Sequence, residues 1–210
     1  MRKPNVLLLF ALILFTAIHL ETAAQAAKKT TCVACTVPGL DVRSSVPLAA
    51  ATKTSGCKLR RGISGIAMQD PDCTPGAINQ SVTIDVIRNE KFHAACVNSC
   101  LTSDSEKTEI YSRYGVEPDP ATCELDHLVP LELGGADSLD NIWPQCGPVE
   151  AQGLKIHFKE KDKVESYFTT LVKTGKMPLR EAQQAIAKDW TQYRDTALAF
   201  CAANKCALDQ

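Results

Sequence analysis

Between positions 82 and 86 apolar and polar residues alternate: Val82, Ile84 and Val86 against Thr83 and Asp85. A period of two predicts a half-buried strand there. Residues 103–114 predict a short helix, with Ser103 placed to cap it and Gly115 to stop it. Residues 124–129 predict a strand that Pro130 ends. Gly134 and Gly135 supply a turn, and Ile142-Trp143 a returning strand, stopped in its turn by Pro144. From about residue 152 to 172, Val164, Phe168, Leu171 and Val172 keep helical spacing until Gly175. Pro178 suits the first turn of a further helix running to about residue 200. Residues 27–75 carry several prolines and glycines and no sustained period, which predicts an irregular region rather than a second hydrophobic domain. Strand, loop, strand and helix across 124–172, with helices around them, make the expected class α+β.

The start of the chain changes the picture of where this fold works. Met1-Arg2-Lys3 is basic, residues 6–18 are almost wholly apolar, and Ala24-Gln25-Ala26 offers small residues for cleavage. These are the parts of a secretory signal peptide, expected over residues 1–26. The apolar run falls short of the roughly 20 residues that span a bilayer, so an uncleaved anchor is the lesser alternative. The expectation is an exported chain, periplasmic or secreted, with no stable membrane association once the signal is removed. Residues 27–75 would form a cysteine-rich leader region and 76–210 the main domain. Without residues 1–26 the net charge is −2, which counts against a large nucleic-acid footprint but allows a local basic cleft.

All 10 cysteines follow the signal segment. An even number in an exported chain predicts disulfides. Cys201 with Cys206, Cys96 with Cys100, and Cys123 with Cys146 are plausible local pairs. Cys32-x-x-Cys35 has zinc-ligand spacing, but no second such pair accompanies it.

The chemistry concentrates in the run from Cys123 to Gln145, CELDHLVPLELGGADSLDNIWPQ. A metal-assisted phosphodiester hydrolase needs a hard oxygen ligand, a neutral imidazole to take a proton from water, and a group that holds the imidazole. Asp126, His127 and Asn141 are candidates for those roles in that order. Each also has an ordinary reading: Asp126 as a salt-bridge partner, His127 as a packed strand-edge residue, Asn141 as a turn residue. Neighbours on a regular strand face opposite ways, so Asp126 and His127 can share one site only where the strand bulges, twists or ends.

Asp126-His127, the run Pro-Leu-Glu-Leu-Gly-Gly at 130–135, and Asn-Ile-Trp-Pro-Gln at 141–145 together resemble the HNH endonucleases with a ββα-metal site. The likeness extends to residues 161–165, 181–183, Asp189-Trp190, 74–76 and Tyr114-Gly115, covering roughly residues 70–195. It implies a ββα-metal core at 124–172, with one divalent metal ion, Mg or Mn before Zn or Ni, held by Asp126 and a helix residue. His157 is the candidate for that second ligand. Its distance of 16 residues from Asn141 exceeds the compact family form, which leaves Glu150 and Gln152 as alternatives. His127 would be the general base and Asn141 its support.

Lys155, Lys159 and Lys163 recur every fourth residue and would line one helical face, either against substrate phosphates or as a solvated, salt-bridged surface. Lys58, Arg60 and Arg61 carry the same ambiguity. His93 has no partner motif. Trp143 and Trp190 are expected in the core rather than stacked on bases. The implied substrate is DNA, with RNA as the alternative, cut with little sequence preference because no base-reading element is evident. An inhibitor or immunity partner is left open. The rival expectation is a disulfide-rich exported binding protein that keeps the scaffold without turnover.

Overall fold

The computed structural model describes residues 37–98, 102–119, 122–147, 158–204 and 206. In chain order the elements are strands β1 (Val46–Pro47), β2 (Arg60–Arg61), β3 (Ala67–Met68) and β4 (Ala77–Ile78), then helices α1 (Ile84–Arg88), α2 (Ala95–Asn98) and α3 (Asp104–Tyr114). There follow β5 (Cys123–His127), β6 (Ile142–Cys146), and helices α4 (Phe158–Lys173), α5 (Leu179–Asp189) and α6 (Arg194–Asn204). Short 3-10 turns lie at Ile63–Gly65, Leu131–Leu133 and Trp190–Tyr193. The strands pair antiparallel as β1 with β4, β2 with β3, and β5 with β6. Helices beside small antiparallel sheets make the fold α+β.

Local chemistry explains the helix ends. The Ser103 hydroxyl accepts from the Glu106 amide, and the Glu106 carboxylate accepts from the Ser103 amide. That reciprocal cap satisfies two donors otherwise left open at the start of α3. Gly115 closes the helix at φ +60°, a conformation only glycine adopts freely. Gly175 ends α4 in the same way, at φ +74°.

Three expectations are corrected. Residues 84–88 form α1, not a strand: the Thr83 hydroxyl accepts from the Val86 amide, and Val86 and Ile87 are buried together. Five alternating residues fit one helical turn as well as a strand, and the cap decides between them. The helix foreseen from Pro178 to about residue 200 is interrupted. Asp189 is extended and its carboxylate accepts from the Thr191 amide, which starts a new turn and lets Trp190 bury completely. Pro144 does not stop the returning strand but sits within β6, opposite Leu125.

One core gathers these pieces. On α4, Val164, Phe168 and Val172 recur at four-residue spacing and are buried with Leu128, Leu133, Trp143, Ile186 and Trp190. Trp143 and Trp190 thus serve the core, as expected. The Phe168 and Tyr193 rings meet edge-on with centroids 4.8 Å apart. Arg194 clasps both oxygens of Glu160 at 2.6 Å, fastening α6 to α4. The cysteine-rich leader region shares this core through Val37, Cys57, Ala67 and Cys73.

Disulfides join Cys57 to Cys73, Cys123 to Cys146, and Cys201 to Cys206. Two of these are the local pairs expected. Cys96 is also disulfide-bonded, while Cys100, Cys32 and Cys35 lie outside the described residues. Among the described residues no helix is long and apolar enough to cross a membrane.

Candidate functional site

The β5–β6 hairpin carries the candidate residues. Its register is regular from Cys123 opposite Cys146 to His127 opposite Ile142, and the disulfide ties the open end. Beyond His127 the chain turns through the Leu131–Leu133 3-10 turn and returns at Asn141. Gly134, at φ +73°, makes the turn. Gly135 then passes so close to the Val129 carbonyl that any side chain would collide with it.

Asn141 is completely buried and is the hub of this loop. Its Oδ1 accepts from the Val129 amide at 2.9 Å and the Ala77 amide at 3.3 Å. Its Nδ2 donates to the Val129 and Ala136 carbonyls, each at 2.9 Å. Its own carbonyl accepts from the Leu128 amide at 2.7 Å. Asn141 therefore holds the backbone next to His127, and none of these bonds goes to the imidazole.

The imidazole has another partner, which sequence reasoning did not single out. His127 Nε2 lies 3.0 Å from Oδ1 of Asp137, a carboxylate with 1% of its side chain exposed. Thr102 donates to the same carboxylate from both its amide and its hydroxyl. Burial opposes charge on Asp137, yet the hydrogen bonds from His127 and Thr102 prevail and hold it below the usual carboxylate range. An ionised carboxylate at Nε2 favours the tautomer protonated there, leaving Nδ1 as the acceptor. The available signal was its position, directly after the Gly-Gly-Ala turn that folds the loop back.

Asp126 and His127 do not share side-chain partners. Asp126 Oδ2 accepts from the Trp143 indole at 2.9 Å and from the Lys161 ammonium at 2.8 Å. Lys161, on α4, is fully buried and also donates to Glu165 Oε1 at 2.6 Å and to the His127 carbonyl at 2.8 Å. Burial works against its charge, but Asp126 and Glu165 outweigh that and push Lys161 above the usual lysine range. Glu165 is pushed the other way from a typical acid: burial, with Asp126 and Glu132 adding to it, raises the carboxyl to about 8 despite Lys161. Burial and the lysine thus pull the Glu165 carboxyl in opposite directions, and burial prevails.

This arrangement bears on the metal. Asp126 uses an oxygen on a buried ammonium, and a divalent cation on that oxygen would stand beside a like charge. As placed, Oδ2 of Asp126 does not fit as a metal ligand. Among the described residues no group of three or more His, Cys, Asp or Glu side chains could hold an ion. His157, Glu150, Gln152 and Lys155 lie outside the described residues, as does the side chain of Lys159. Lys163 is half-buried on α4, and His93 is exposed, away from any partner motif. Set against protein-family models, curated proteins and solved structures, the chain matches none of them.

Proposed function

We propose that this chain is an exported endonuclease of HNH type, hydrolysing phosphodiester bonds in DNA, or alternatively RNA, with little sequence preference. The observation that carries the reading is the His127–Asp137 pair, set at the end of a hairpin whose loop Asn141 pins from inside. The motif order from Asp126 to Gln145 supports it, and so does the packing of α4 against that hairpin through Lys161. Export is supported by the disulfides and the signal-like start.

In this reading His127 Nδ1 takes the proton as water attacks phosphorus, the phosphorus bond to the leaving sugar oxygen breaks, that oxygen takes a proton from solvent, and the imidazolium that forms is stabilised by Asp137 until it returns its proton to solvent. Thr102 keeps Asp137 ionised and aimed, and Asn141 keeps His127 at a fixed height in the loop. The divalent cation implied by the resemblance would need ligands other than Asp126 as it stands.

A nicking assay on supercoiled plasmid, with Mg or Mn added and with chelator as the control, tests the proposal. His127→Ala is expected to lower turnover about 10²–10⁴-fold, and Asp137→Asn to lower it in the same direction. Full activity in His127→Ala would remove the base assigned here. The rival reading, a non-catalytic binding protein, is favoured by one observation: Asp126 is committed to Lys161 and Trp143. Nucleic-acid binding with no metal-dependent nicking would select it.

A further inference from the structure

An ammonium has three hydrogens to give. Lys161 gives them to three acceptors: Asp126 at 2.8 Å, Glu165 at 2.6 Å and the His127 carbonyl at 2.8 Å. Its side chain has 0% exposure, so no solvent competes for them. Burying a charge is costly unless it is paired and fully bonded, and an aliphatic side chain could fill the same space without that cost. What an aliphatic chain could not do is bond the backbone of one named residue. The His127 carbonyl is the last of β5, the point where the strand gives way to the loop.

We propose that Lys161 is a positioning residue for His127, with Asp126 and Glu165 as the anchors of its ammonium, and that Asp126 is therefore a partner of lysine rather than a metal ligand. The Asp-His juxtaposition then has a different meaning from the one its sequence suggests. Asp126 and His127 serve opposite sides of one strand end: Asp126 fixes the lysine beneath, and the lysine fixes the backbone that carries the imidazole. Its catalytic consequence rests on the nuclease reading above; its structural consequence does not.

The test uses the whole mature chain and three variants, Asp126→Asn, Lys161→Met and Glu165→Gln. Hydrogen exchange at the Leu128 and Val129 amides reads the strand end without substrate. Exchange there is expected to quicken in Lys161→Met and Asp126→Asn, while Ile110 in α3 keeps its protection. Unchanged protection at Leu128 in Lys161→Met overturns the proposal. Calorimetric titration with Mn²⁺ alone is expected to give Asp126→Asn the wild-type affinity. Loss of Mn²⁺ binding in Asp126→Asn, with Lys161→Met unaffected, overturns it as well.

In turnover, Lys161→Met is expected to lose about 10–100-fold in kcat at near-constant KM, since a small displacement of a base costs rate rather than binding. A rise in KM alone overturns the catalytic part. If Lys161→Met fails to fold, Asp126→Asn and Glu165→Gln retain the lysine while loosening its anchors, and the same exchange measurement decides. If the wild-type chain neither binds Mn²⁺ nor nicks DNA, the nuclease reading fails, and the exchange data still decide whether Lys161 holds the strand end.

Discussion

At the scale of single residues, the site is a set of polar groups that satisfy one another out of water. Glu165 shows the consequence most directly. Its carboxyl holds a proton more tightly in the folded chain than an unfolded carboxyl does, so unfolding releases that proton in the neutral range. The associated stabilisation is complete below the ordinary carboxylate range and is lost as pH rises through about 8. Glu165→Gln cannot titrate. Its melting temperature is expected to stay level across this window while that of the wild-type chain declines. An equal decline in both would place the buried proton elsewhere. Asp137, held low, acts on the other side: its contribution is present above the ordinary carboxylate range and is lost as pH falls below it.

Asn141 stood out within the motif run, with a turn residue as its other reading; its burial among loop backbone groups, where the amide donates and accepts at once, is visible only in the fold. Asp137 was missed because nothing in the chain marks which carboxylate a loop will fold onto an imidazole ten positions earlier. Lys161 was missed for a different reason. Attention to lysines at every fourth position selects Lys155, Lys159 and Lys163, whereas Lys161 lies between those positions and is fully buried.

At the scale of elements, caps and packing decided what periodicity left open. Ser103, Glu106 and Gly115 mark both ends of α3, and the helix begins and ends there. Alternation at 82–86 misled because a capped turn of helix can bury the same residues. Asp189 interrupted an otherwise continuous helical pattern because its side chain captured an amide two positions on. The loop turn was legible in outline, but the reason for the second glycine was not: Gly135 is needed for space beside the Val129 carbonyl, a contact the linear sequence does not display. Gly135→Ala is expected to destabilise the chain by about 1–3 kcal/mol. Urea unfolding should show a lower midpoint with an unchanged slope. An unaltered midpoint would mean that the loop yields without cost.

At the scale of the whole molecule, the chain is mildly acidic, so attraction to a polyanion would have to come from local surface rather than net charge. Binding to DNA is expected to weaken with salt along a shallow slope, on the order of 2–4 phosphates neutralised. Fluorescence anisotropy across a salt series measures it. A slope near zero with binding intact would argue against any phosphate-tracking groove.

The cross-strand bond between Cys123 and Cys146 has a further consequence for attack by proteases. Endoproteases cut where several consecutive residues can leave the fold and enter an active-site cleft. The segment between His127 and Asn141 is anchored at one end by the paired, cross-linked strands and from within by the Asn141 amide. It offers no loose span for a protease to draw out. Limited digestion of the oxidised chain is expected to spare this segment, and reduction of the disulfide to expose it, so that resistance to proteolysis and integrity of the candidate site depend on the same bond.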